Sequence, residues 1–394
     1  MNSDNYAYIL WLPSWYPNKL SPFDGDFIQR HAQAASIFIP IRVLYFVRDK
    51  EQLVTNAIYV EEKQTGNLRE TIIYYSSRIS SLGIADKFFS VWKYRRLYKK
   101  FISDFFEKQG KPQLVHVHIA FKGGIIAKWI EKKYQIPYFL SEHWTIYLDE
   151  AKPNFSDFNF ITKYLISKTL QKAAKFFSVS DHLGKAIRKR WPSIRYKIIP
   201  NVVDTNIFYP VEKSMNEAYQ LVHISNLNYQ KDPEKLFKAM GILKVKGIVF
   251  SLDIFGHADN YIKSLIDKEG IRESVKFHQE VPQPVLAKYV RRADALILYS
   301  RYETFGCVII EANACGVPVI VTETPVMHEL VRNNENGLLV KHGSAEALAE
   351  ALEDFFKRRN QFSKELIAKS AQQYNFQKIG KMFFDEYSSF IHRD

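Results

Sequence analysis

Two glutamates, Glu303 and Glu311, stand with seven residues between them in SRYETFGCVIIEANACGVPVI, residues 300–320. Between Thr304 and Thr322 the only formal charge is Glu311. An unpaired carboxylate in apolar surroundings is costly, so Glu311 demands hydrogen-bond donors. Sugar hydroxyls would serve. So would a neighbouring N–H, a lysine or solvent at an edge, and the local sequence leaves these alternatives open. Gly306 adds a second piece of chemistry. It lets a ligand approach the backbone closely, and the free N–H groups of a helix start suit phosphate.

The elements around these residues follow from hydrophobic pattern. DALILYS reads as a buried strand, RYET as a short loop, FGCVIIEANAC as a helix ending at Gly316, and VPVIV as the next strand. In a parallel sheet this unit places residues 301–308 at the carboxyl ends of the strands, where such sheets bind ligands. The same alternation runs through the chain. Strands are expected in YAYILWL, IRVLYFV, QLVHVHI, IPYFLS, KFFSVS and YKIIP, with a hairpin in AIYVEEKQTGNLRETIIYYSS. A second set follows in YQLVHIS, IVFSLDIFG, VKFHQEV, DALILYS, VPVIV and GLLV. Two such sets, with amphipathic helices between strands, imply two doubly wound parallel α/β domains.

Composition fits that picture. The chain has 394 residues, 46% hydrophobic and 25% charged, too long for one ordinary core. No apolar run of about 18 or more residues is present, so no membrane span is expected. The start, MNSDNYAYILWLPSWYP, lacks a basic n-region and a small-residue cleavage site, and a cytoplasmic chain is expected. Cys307 and Cys315, if on one helix, lie roughly 12 Å apart, too far for a disulfide. The net charge of +13 suits nucleic acid, an anionic membrane face or phosphorylated small molecules. It also suits a merely lysine-rich surface.

The E303-TFGCVII-E311 stretch followed by ANACGVPVI resembles the E-x7-E signature of glycosyltransferase family 4, retaining enzymes of the GT-B fold. The resemblance extends over nearly the whole chain. VHVHIAFKGGIIAKWIEKKYQIPYFLSEH resembles the N-domain segment ending in a Thr-x-His type loop, and FFSVSDHLGKAI the Val-Ser helix start. IIPNVVDTNIFYP resembles the interdomain connector. HISNLNYQKDPEKLFKAM occupies the place of the phosphate loop, and GLLV after NNEN follows the signature as in the family. The resemblance implies two Rossmann-like domains facing a central cleft. An acceptor-side domain would span 1–200 and a nucleotide-sugar domain 201–377, with a last helix, about 378–394, packing back on the first.

It also implies roles. Glu311 would accept from the nucleotide ribose, and Glu303 would contact the donor sugar together with His143, which reaches it from the facing domain. Phe305, Gly306, Cys307 and Val308 would lie along the diphosphate, and Lys231 would neutralise it. Asp232 would cap the helix that follows. The sequence departs from the family pattern at Asn226, where an arginine is usual, at Ser225, and at Val202, where the connector normally has glycine. Arg301 is the candidate to compensate for Asn226. Near the N-terminus, PSWYP and a single Gly25 replace a Gly-Gly loop, as in polysaccharide-building members.

The reaction implied is transfer of a sugar from a nucleotide diphosphate donor to a glycan or lipid-linked glycan. No cofactor and no metal would be needed beyond the nucleotide sugar. Asp24 and Asp26, in DGD, read as a turn and a helix start rather than a metal pair. His116 and His118 alternate on a strand with no third ligand evident. The stretch 88–106 is basic and amphipathic. It can lie on an anionic membrane, giving a peripheral protein of the inner face, or simply cover the sheet. Two other classes compete: a basic nucleotide- or nucleic-acid-binding protein, and a sugar-nucleotide binder without turnover. The first lacks any dinucleotide, Walker or nucleic-acid module, so no nucleic-acid partner is expected.

Overall fold

The computed structural model describes residues 8–76, 83–212 and 218–391. The first sheet holds β1 Ile9–Pro13, β2 Ile41–Asp49, β3 Ile58–Thr65, β4 Leu68–Ser76, β5 Leu114–His118, β6 Tyr138–Glu142, β7 Lys175–Ser178 and β8 Lys197–Ile198. Their order is β3-β4-β2-β1-β5-β6-β7-β8. Every pairing in it is parallel except β3 with β4, the hairpin turning at Gly66. The second sheet holds β9 Tyr219–Ile224, β10 Phe250–Phe255, β11 Val275–His278, β12 Ala295–Leu298, β13 Val319–Thr322 and β14 Gly337–Val340. It is parallel, in the order β11-β10-β9-β12-β13-β14. Helices cover both faces, so central strands such as LVHVH and ALIL are buried along their full length.

Strand order fixes where loops meet. It reverses between β1 and β5 in the first sheet and between β9 and β12 in the second. At each reversal successive connections leave on opposite sides and open a crevice at the strand ends. In the second sheet that brings the loop after β9, with Asn226 and Lys231, beside the loop after β12, with Arg301 and Glu303.

The chain crosses between the domains at neighbouring points. Val203 N donates to Tyr374 O at 2.9 Å, beside the helix Phe376–Ile391 that returns to the first sheet. This return helix packs on the helix Asp26–Ser36 so closely that a Cβ on Gly380 would lie 2.1 Å from Ala34 O. Its Phe383 and Tyr387 are fully buried, and the Tyr387 hydroxyl meets His116 Nδ1 at 2.5 Å. Val202 is buried and lies outside the left-handed region, so the connector accepts a side chain there.

The basic stretch lies on the helix Gly83–Gln109. The side chains of residues 88–91 lie outside the described residues. Further along, Tyr98, Ile102 and Phe106 are buried, and Tyr94, Leu97, Phe101 and Phe105 pack against the same core. The apolar face thus covers the sheet, and Arg95, Arg96 and Lys100 form an exposed basic face. Among the described residues, the part of the apolar face from Tyr94 to Phe106 is occupied by the core, while Trp92 is exposed beside the basic face.

Candidate functional site

In the second domain the two switch-point loops are tied together. Arg301 N donates to Gln230 O at 2.7 Å and Gln230 Nε2 to Tyr302 O at 3.0 Å. Lys231, in the short turn Tyr229–Lys231, reaches across to form an ion pair with Glu303. Ser300 Oγ donates to the same Glu303 oxygen at 3.0 Å. Gly306 follows at φ 100°, ψ 68° and opens the helix Cys307–Ala314, whose start carries no side-chain cap. Phe305 is buried beneath it. Gly256 closes the floor: a Cβ there would lie 2.0 Å from Ser225 O. Asn226 is exposed at the rim.

Glu311 sits one turn into that helix and is only 3% exposed. Burial raises its pKa and a guanidinium opposes the rise. That guanidinium belongs to Arg30, which comes from the opposite domain. The sequence required a partner for Glu311 without naming one. The available signal was a cation, Arg30, on the amphipathic helix Asp26–Ser36. Arg30 is 5% exposed, and its Nη2 also meets Asp26 at 3.2 Å. Gln283, its amide oxygen turned inward, accepts from Arg30 Nη1 at 3.0 Å and Nε at 3.2 Å. The Cys307 thiol lies in the same field and is pushed up to about 12, chiefly by burial, with Arg30 pulling the other way.

One expectation about this loop changes. Asp232 does not cap the following helix. It adopts φ 43°, ψ 55° and accepts from Arg301 Nη2 at 2.6 Å instead. Arg301 in turn donates from Nε to Tyr229 O at 2.9 Å, lies over the Tyr229 ring and stands 3.5 Å from Glu234. Its charge is engaged in holding the loop.

From the first domain, Gly25 starts the helix Asp26–Ser36 at φ 67°. A Cβ there would lie 2.5 Å from the Trp15 carbonyl. His143 follows β6 in a loop that Glu142 organises by accepting from Ala120 N, His143 N and Trp144 N at 3.0–3.1 Å and from the Tyr147 hydroxyl at 2.9 Å. His143 Nε2 lies 3.3 Å from His118 Nδ1, and one ring nitrogen of each of His31, His118 and His143 lies within 4.8 Å of the others. The sequence offered no third partner for the strand histidines; the structure brings in His31 and His143.

The group could hold a metal ion, which would bind the rings uncharged. Among the described residues no carboxylate joins it. Burial lowers the pKa of all three rings, and Arg30 adds repulsion at His31. His31 Nε2 is 2.9 Å from Pro200 O and donates there when the ring is neutral. The arrangement suits uncharged imidazoles.

That state has a consequence for stability. Burial lowers His31, and separately His223 on β9 in the second domain, to about 4. Unfolded, they would titrate near 6.5. Between these values the unfolded chain binds more protons, so stability is full above pH 6.5 and falls as pH drops toward 4. At pH 5 the two should remove about 2 kcal/mol each. Urea unfolding at pH 7 and pH 5 measures the loss; an equal midpoint at both would show the rings free to charge in place.

A cavity of about 830 Å³ lies between the domains beside this site, with Asp149, Lys152, Asn154, Tyr229, Arg301 and His342 in its wall. Glu303 and Glu311 are not in that wall; each is held in an ion pair, with Lys231 and Arg30.

Comparison with known proteins bears on all of this. The description "Glycosyl transferases group 1" matches residues 207–373, and "Glycosyltransferase Family 4" matches residues 58–207. The D-inositol 3-phosphate glycosyltransferase of Arthrobacter sp. (strain FB24) is 30% identical over 173 residues, 40% of this chain and 41% of that protein. The chain therefore aligns with less than half of that relative's length. The putative teichuronic acid biosynthesis glycosyltransferase TuaC of Bacillus subtilis is 23% identical over 87% of this chain and 88% of its own. Among solved structures, sucrose-phosphate synthase from Thermosynechococcus elongatus superposes with a TM-score of 0.78 at 18% identity, over 98% of this chain and all of that one. Anabaena HepE in complex with UDP and glucose superposes with a TM-score of 0.71 at 18% identity, over 98% of this chain and 100% of that one.

Proposed function

The chain belongs to glycosyltransferase family 4 and has the two-domain GT-B fold, and from that premise we propose that it is a retaining, metal-independent glycosyltransferase. It would move a sugar from a nucleoside diphosphate donor to a hydroxyl of a glycan or lipid-linked glycan in cell-surface polysaccharide synthesis. The observation that carries this reading is the convergence of Lys231, Glu303, Glu311 and the uncapped helix start after Gly306 at one switch point. That set offers a cation and N–H groups to a diphosphate and carboxylates to ribose and sugar hydroxyls. The polysaccharide setting is supported by the name of TuaC, and a nucleotide sugar donor by the UDP and glucose bound to HepE.

In the proposed reaction the bond from the anomeric carbon to the diphosphate oxygen breaks, and the acceptor oxygen bonds to the same face. The departing phosphate takes the acceptor's proton. The protein's work is positioning and support of the leaving charge. Lys231 and the helix start hold the diphosphate, Glu303 and His143 orient the sugar, and Glu311 fixes the ribose. Asn226 keeps open a second reading, a sugar-nucleotide binder without turnover.

A thermal-shift screen with nucleoside diphosphate sugars, followed by transfer and hydrolysis assays in EDTA, separates the readings. Stabilisation with EDTA-resistant turnover is expected. Tight binding without turnover would favour the inactive reading. Turnover restored only by a divalent ion would return Asp24 and Asp26 as ligands.

A further inference from the structure

We propose that Arg30 supplies, from the first domain, the guanidinium that the phosphate loop lacks at Asn226, and that it is exchanged between Glu311 and the diphosphate of an entering donor. The inference rests on the nucleotide-binding reading of the site and adds to it a residue outside every motif that carried that reading.

The charge accounts of the site point there. Lys231 is paired with Glu303, and Arg301 is committed to Asp232 and the Tyr229 carbonyl. Asn226 brings no charge. Arg30 is the cation that lies against the Cys307–Ala314 helix, where it faces Glu311 and shares a field with Cys307 at the helix start.

Glu311 cannot serve a ribose as it stands. It is 3% exposed, and Arg30 Nη1 holds its Oε1, so a hydroxyl bound for that oxygen meets the guanidinium first. The donor must displace that contact. Displaced from Glu311, Arg30 would keep only the partly exposed Asp26 as its anion, so displacement alone would oppose binding. A diphosphate removes the difficulty, because its oxygens accept both N–H groups of the guanidinium fork at once. Asp26, one turn back on the same helix, holds Arg30 at 3.2 Å and remains a pivot through the exchange. The neutral Gln283 amide can be released without stranding a charge. One event would then free Glu311 for the ribose and bridge the two domains through the ligand.

Calorimetry with UDP and with uridine tests this, or with the diphosphate and nucleoside of whichever base the wild-type protein binds. Arg30→Ala should lower diphosphate affinity by about tenfold or more. Nucleoside affinity should be unchanged or increased, because Glu311 is released. Arg30→Lys should fall between. Since Arg30→Ala leaves Glu311 buried and unpaired, the comparison is repeated in the Glu311→Gln background, where Arg30→Ala should still lower diphosphate affinity more than nucleoside affinity. If the ratio of diphosphate to nucleoside affinity is unchanged by Arg30→Ala in both backgrounds, Arg30 is only a pin between domains and the inference fails alone. A wild-type protein that binds none of UDP, ADP, GDP or TDP overturns the nucleotide-site reading, and this inference with it.

Discussion

Replacing Glu303 by glutamine should leave affinity for a nucleoside diphosphate within about threefold of the wild type while cutting sugar transfer by about a hundredfold or more. Glu303 is paired with Lys231 and accepts from Ser300. In the proposed roles it faces the transferred sugar, which the free diphosphate lacks. Neutralising it also releases Lys231, which favours the phosphate and offsets any loosening of the loop. Transfer should suffer because a misplaced anomeric carbon misses the acceptor oxygen. Glu311→Gln should behave differently. It removes charge-assisted acceptance, roughly 1.5–3 kcal/mol per such bond, from a group assigned to the ribose. Diphosphate and whole donor should weaken together. Calorimetry beside turnover, on variants with wild-type circular dichroism, distinguishes the two. Equal loss of diphosphate affinity in both would refute the division of labour. No change in either would make both carboxylates structural.

Gly25→Ala should cost about 3 kcal/mol or more of stability and lower donor affinity at the same time. The backbone at Gly25 is left-handed, and the new Cβ would meet the Trp15 carbonyl at 2.5 Å and Tyr16 N at 2.8 Å. These are main-chain atoms of the loop after β1 and cannot swing aside. The start of the helix Asp26–Ser36 must shift, and Arg30 and His31 shift with it. Gly66→Ala is the control. That glycine is also left-handed, at φ 55°, but nothing lies within 4 Å of its Cβ, so the strain alone should cost about 1–2 kcal/mol. Urea unfolding of both variants gives the comparison; equal losses would mean that the close approach at Gly25 relaxes freely.

The strands and the hairpin were legible because each is an apolar or β-branched run bounded by turn residues. The loops of the second switch point were legible as well, since strand order in a parallel sheet dictates which loops meet. The partner of Glu311 was not. Arg30 is 281 positions away, and no local pattern records a contact of that range. Burial of Glu311 announced that a donor had to exist, and only the packing of two domains identified it. His31 escaped for the same reason, being on a helix while His118 ends strand β5 and His143 follows β6. Asp232 misled because Asp before Pro reads as a cap, whereas Arg301 drew its carboxylate into an ion pair. The helix Gly83–Gln109 shows the limit of amphipathic pattern: it reports that one face is apolar, not what that face touches.

The return helix also sets an order of events during synthesis. Phe383 and Tyr387 complete the core around Trp11 and His116, yet they leave the ribosome only after the entire second sheet has been made. The second domain can close on its own schedule, while the first, although translated earlier, must wait with an open apolar seam along β1, β5 and the helix Asp26–Ser36. Exposed seams of this kind recruit chaperones or aggregate. Nascent chains stalled short of residue 376 should therefore keep the first domain sensitive to protease, and release of the last segment should protect it.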